Sequence, residues 1–236
     1  MFFTPYDLLI IPPLLLAMWA SLKVKTTYAK YAKVGTRRGL TGAQVAERIL
    51  RDSGVGGAPA NVRGQGLGCV VEATPGNLTD HYDPRSQTLR LSEENFYGQS
   101  VAAIGVSAHE AGHAIQHAQR YPFLQLRSLM YPATAFGSNL AFPLFFIGFI
   151  GSFQPLMIAA IALFFIAVLF SVITLPVEFD ASRRALKILR EGGYLETDEL
   201  AGARKVLRVA AMTYVAGALM AVMQLLRLVL LARGRD

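Results

Sequence analysis

Apolar positions follow two different patterns along this chain. Four long stretches are apolar on every side: Phe2 to Leu22, interrupted by Tyr6-Asp7 and Pro12-Pro13; Ala133 to Phe153; Leu156 to Leu175; and Val209 to Leu231. Each has about the 20 residues a helix needs to cross roughly 30 Å of hydrocarbon. Any one alone reads equally as a buried core helix, but four together leave too little polar chain to cover them, which predicts membrane insertion. Pro12-Pro13 predicts a kink or a two-piece first span, and Pro176 a break or the opening turn of a new helix. The first span has its lysines behind it and no basic segment before it, so it reads as a retained anchor.

Between these stretches, apolar and polar residues alternate at the spacings of water-soluble elements. Thr41-Gly42-Ala43-Gln44 has the form of a capping box opening a helix with Val45, Ala46, Ile49 and Leu50 on its apolar face, closed by Gly54. The glycine-rich segment Gly54 to Gly68 predicts a loop or mobile flap. Cys69 to Glu72 and Thr88 to Leu91 predict short strands, with Asp83-Pro84-Arg85-Ser86 turning into the second. Small apolar residues from Val101 to Ala108 predict a buried helix that continues past His109. Beyond Pro176 an amphipathic stretch runs to about Arg190 and ends at Glu191-Gly192-Gly193-Tyr194. Another, Thr197 to Arg208, leads into the last span, where Arg227 is expected to snorkel to an interface.

Composition supports the membrane assignment: of 236 residues, 53% are hydrophobic and only 17% charged. Charge adds an orientation. Of 23 Lys and Arg, 13 lie between Lys23 and Arg127 and seven between Arg183 and Arg208, while the Gly151 to Pro155 link has none. Both basic segments are therefore expected to face the cytoplasm. The net charge of +7 reads as membrane topology and not as nucleic-acid binding, because no ladder of basic and aromatic residues accompanies it. The one cysteine, Cys69, makes no internal disulfide.

The chemistry is concentrated in His109-Glu110-Ala111-Gly112-His113, an H-E-x-x-H pattern on the predicted helix. Imidazoles four residues apart lie on one helix face and can grip one Zn2+ per chain, with Glu110 placed as general base for a water. Such a site needs a third protein ligand. His117 lies eight residues past His109, about 12 Å along a straight helix, and is expected to support the site from outside the ligand set. Glu178, just after the second and third spans return the chain, is the better candidate, with Asp180 as its rival. The bland alternative is that both merely pair with Arg183 and Arg184. In Thr79-Asp80-His81-Tyr82-Asp83, His81 or Tyr82 is a candidate to stabilise an oxyanion, while Asp80 and Asp83 read as turn residues.

Further stretches carry a family resemblance: Tyr31-Ala32-Lys33-Val34, Arg38-Gly39-Leu40-Thr41-Gly42-Ala43, Leu78 to Arg85, Leu89-Arg90-Leu91-Ser92, the His109 motif, and Leu175 to Ala185. Together they resemble the YugP-like membrane family of neutral zinc metallopeptidases over nearly the whole chain. More distantly the sequence is similar to the HtpX and CAAX prenyl protease group, a resemblance that implies Glu178 as third zinc ligand. In that group an Asp follows this Glu by four residues, whereas Ser182 stands here, which leaves Arg183 or Arg184 as possible substitutes for its supporting role.

The expectation is a mainly α integral membrane protein: four transmembrane helices plus a cytoplasmic zincin-like helical domain with a small β-hairpin or sheet. Its divisions are an anchor (1–22), a cytoplasmic domain (23–130) with the motif helix at about 100–119, a transmembrane hairpin (131–176), cytoplasmic helices bearing the third ligand (177–208), and a last span with a short tail (209–236). The expected activity is zinc-dependent endopeptidase cleavage of peptide or membrane-protein substrates at the cytoplasmic face of the lipid bilayer. The alternative is a non-catalytic membrane scaffold with a structural zinc. A protease acting inside the bilayer would need the motif helix to span it, and a transporter would need paired charges within the spans.

Overall fold

The computed structural model describes residues 5–57 and 68–234. Most of the Gly54 to Gly68 segment, expected to be a loop, lies outside the described residues. The helices are α1 (Ile11–Tyr31, after a 3-10 helix over Pro5–Ile10), α2 (Gly42–Asp52), α3 (Glu93–Tyr97), α4 (Val101–Ala118), α5 (Pro122–Ile150), α6 (Gln154–Glu191) and α7 (Thr197–Arg233). The strands are β1 (Val70–Thr74), β2 (His81–Asp83) and β3 (Thr88–Ser92). The chain divides into two compact units, one of Leu22–Pro122 with Val177–Ala211, the other of Met1–Ser21, Phe123–Pro176 and Met212–Asp236.

In the first unit, α2 begins at the predicted capping box: the Gln44 amide donates to Thr41 Oγ1 at 3.2 Å, and the Thr41 amide donates to Gln44 Oε1 at 3.0 Å. That reciprocal pair satisfies two of the donors that a helix start leaves open. Val45, Ala46, Ile49 and Leu50 are buried against α4. Helix α4 begins where Ser100 Oγ accepts from the Ala103 amide at 3.1 Å.

The sheet has three strands in the order β1-β3-β2, with β1 parallel and β2 antiparallel to β3. Of the expected small hairpin or sheet, the sheet is what forms. The two predicted strands pair in parallel, and the third strand, β2, is a three-residue edge strand that packs on α4. Asp83 forms the expected turn, accepting from the Arg85 amide and Ser86 Oγ. Asp80 does more than turn the chain. Its carboxylate accepts from the Ser92 amide and hydroxyl and from Asn95 Nδ2, while Asn95 Oδ1 accepts from the Tyr28 hydroxyl at 2.7 Å. The buried side chains of Tyr28, Ser92 and Asn95 are thus partnered, as a water-excluding core requires.

The second unit has a core of Ala141, Phe145, Met157, Ala160, Phe164, Val168, Leu228 and Ala232. Among the described residues, four helices are long and apolar enough to cross a membrane. Pro12 and Pro13 fall in the first turn of α1, where a missing N–H costs no hydrogen bond. Pro176 does not break the chain as expected; α6 runs through it to Glu191. One proline removes one helical hydrogen bond, and the long apolar and amphipathic runs on either side sustain the helix. Arg227, expected to snorkel, forms an ion pair with Asp7 within this unit.

Candidate metal centre

Small residues let the motif helix come close to its neighbours. Ala102, Ala103, Ala108, Ala111 and Ala114 of α4 are all buried. Gly112, inside the motif, faces the backbone of α6: a Cβ there would stand 2.9 Å from the Ala181 carbonyl oxygen. Val177, Ala181, Ala185 and Leu189 make the buried stripe of α6, so Glu178, beside Val177, is carried to the same level as the histidines.

Three ligand atoms converge there. His109 Nε2 lies 3.4 Å, and His113 Nε2 3.6 Å, from Glu178 Oε2. A tetrahedral zinc with bonds of about 2.0–2.1 Å holds its ligand atoms about 3.3–3.4 Å apart. Among the described residues, His109, His113 and Glu178 form the His, Cys, Asp or Glu group whose donors lie close enough for one ion, all within 4.8 Å. Two imidazoles and a carboxylate are also the donor set that leaves a fourth position for water in hydrolytic zinc sites. The residues therefore fit zinc in both chemistry and spacing.

The outward nitrogens are held as well. Gln116 Nε2 donates to the Val177 carbonyl and to Asp180 Oδ2, both at 2.9 Å, which turns Gln116 Oε1 toward His113 Nδ1 at 3.0 Å. That amide orientation assigns the imidazole proton to Nδ1 and leaves the Nε2 lone pair for the site. Ser182 Oγ lies 3.1 Å from His109 Nδ1. Ser182 itself thus occupies the supporting place, whereas Arg183 and Arg184 both pair with Asp180. The sequence reading missed Gln116. Its signal was present, three residues after His113 and so on the same helix face.

Glu110 is buried within the electrostatic reach of His109, His113 and Glu178, and burial pushes its carboxyl above the ordinary range. His117 does not join the ligand group; its Nδ1 lies 2.8 Å from the Tyr82 hydroxyl. Burial lowers the pKa of His117 and raises that of the Tyr82 phenol, so both stay neutral near pH 7. His81 is exposed on β2, with its Nδ1 2.7 Å from the Thr79 carbonyl.

The chain is 45% identical over 224 residues, 94% of each chain, to a protein of Bacillus subtilis (strain 168) named "Putative membrane protease YugP". No solved structure matches it. The family model described as "Putative neutral zinc metallopeptidase" matches residues 6–233. With its paired histidines and returning carboxylate inside that match, the chain belongs to this zinc metallopeptidase family.

Proposed function

We propose that this protein is a membrane-embedded endopeptidase that hydrolyses peptide bonds at the cytoplasmic membrane surface, with one zinc held by His109, His113 and Glu178. The observation that carries the proposal is the convergence of three donor atoms, two from α4 and one from α6, at the spacing of a tetrahedral site. Zinc held there supplies a Lewis acid that acidifies the attacking water and polarises the scissile carbonyl. Glu110, its carboxyl raised by burial, takes a proton from that water and passes it to the leaving amine nitrogen. The outer edge of β2, unpaired among the described residues, is the place for an extended substrate strand. His81 or Tyr82 on that strand, the latter bonded to His117, is the candidate donor to the developing oxyanion.

The cytoplasmic placement rests on the 13 and seven basic residues of the two segments that flank the apolar stretches. Zinc content and casein cleavage by wild type and Glu110→Gln test the activity. Zinc retained by both, with cleavage lowered at least about 100-fold in the variant, is expected for loss of a general base. Zinc-loaded wild type without cleavage, or equal cleavage by both proteins, contradicts it.

A further inference from the structure

Beyond the metal centre, the first unit carries a groove of about 490 Å³ between α6 and α7. Its walls hold Arg183, Lys187 and Arg190 of α6, and Arg204 and Arg208 of α7. These positions follow i, i+4, i+7 on one helix and i, i+4 on the other, so two cationic rows line the groove. Leu186, Leu200 and Leu207 add apolar surface, and no acidic side chain lines it. Arg183 pairs with Asp180 and Arg190 with Glu191 at its margins. Among the described residues, Lys187, Arg204 and Arg208 make no ion pair. Like charges gathered over an apolar floor repel one another, and a bound anion offsets that repulsion.

We infer that this groove binds the headgroup of an anionic phospholipid, an inference that rests on the membrane reading proposed above. Two observations favour lipid over an acidic peptide substrate. First, the groove belongs to chain that directly adjoins two apolar stretches: Arg208 immediately precedes Val209, and Phe179, 47% exposed at the groove, follows Leu175 by four residues. Cations at the cytoplasmic ends of spans meet anionic headgroups, and an exposed aromatic ring beside them suits the interface. Second, Ser182 lines the groove and contacts His109 through Nδ1, the nitrogen facing away from Glu178. An occupant of the groove therefore borders, through Ser182, the side of His109 turned away from Glu178.

The test uses the full chain in neutral detergent and measures retained lipid by native mass spectrometry. The probes are phosphatidylglycerol and phosphatidylcholine of equal chain length, with inorganic phosphate and a glutamate-only peptide as competitors. Wild type should bind phosphatidylglycerol at least about tenfold more tightly, and Lys187→Gln/Arg204→Gln/Arg208→Gln should bring the preference within about twofold, at unchanged zinc content. If the triple variant does not fold, Arg204→Gln alone must lower the preference. Equal retention of the two lipids by wild type, or a preference that survives in the variants, overturns the inference. So does phosphate or the glutamate peptide binding as tightly as phosphatidylglycerol. Casein cleavage measured on the same samples separates the two proposals: cleavage without lipid preference removes only the lipid site, and preference without cleavage removes only the peptidase.

Discussion

In the unit that holds the paired histidines, a group of polar side chains is buried and partnered; in the unit built from the apolar stretches, many large apolar side chains stay outside. Ser92, Asn95, His113, Gln116, Glu178 and Asp180 are all buried in the former, and hydrogen bonds or ion pairs engage them. The latter exposes Leu14, Leu15, Trp19, Phe136, Ile147 and Phe165. So large an apolar surface is unfavourable in water and unremarkable against lipid tails. The contrast teaches that one chain carries two kinds of surface, a polar core with partnered groups around the paired histidines and an apolar exterior of the kind that lipid tails tolerate.

The comparison breaks first if charge is tolerated on the apolar exterior. Phe165→Arg, near the middle of the Leu156 to Leu175 stretch and 47% exposed, should cost about 3 kcal/mol of insertion free energy. Fractionation of membranes should show most of this variant lost or uninserted. Tyr97→Arg, on the exposed face of the other unit, should fractionate like wild type. Equal behaviour of the two variants would remove the distinction.

Within the site-bearing unit, the tight approach of α4 and α6 is the next element to perturb. Gly112→Ala drives a methyl against the Ala181 carbonyl, and because both partners are backbone, the helices must separate. A loss of about 1–3 kcal/mol is expected, as for other overpacked contacts, seen as a lower denaturation midpoint together with weaker zinc binding. A variant with unchanged midpoint and affinity would show that the close approach is dispensable.

Smaller again is the effect of the groups behind the imidazoles. Gln116→Ala leaves His113 Nδ1 and one Asp180 oxygen without the amide that joins them. Zinc affinity, measured by competition with a chelator, should fall about 10–100-fold. Ser182→Ala, which removes one contact at 3.1 Å to His109, should fall toward the lower end of that range or below it. The reverse order would mean that His109 is the more dependent ligand.

How much of this was legible in the sequence depended on how local each signal was. The capping box at Thr41 and the buried face of α2 are written in adjacent residues, and so is the turn at Asp83. The spacing of His109 and His113 placed both imidazoles on one face by helical geometry alone. Strand β2 was not legible, because three residues are too few to show alternation and the flanking Asp80 and Asp83 read as turn residues. The parallel pairing of β1 with β3 also escaped, since short intervening chain favours a hairpin and only tertiary packing sends β2 to the far side of β3. Helix α6 passing through Pro176 was lost to a rule that holds for an isolated proline but not for one flanked by long helical runs. At the site, Gln116 and Ser182 bond across 61 and 73 residues of chain to Val177 and His109. Such contacts are set by helix packing, and sequence spacing shows only which faces are available.

The most direct test is zinc stoichiometry of the purified full chain as wild type, Glu178→Ala and His117→Ala. One zinc per chain is expected in wild type and in His117→Ala, and affinity should drop more than about 100-fold in Glu178→Ala, beyond what loss of a supporting group costs. Zinc retained at full affinity by Glu178→Ala, or lost from His117→Ala while that protein stays folded, would contradict the proposed ligand set.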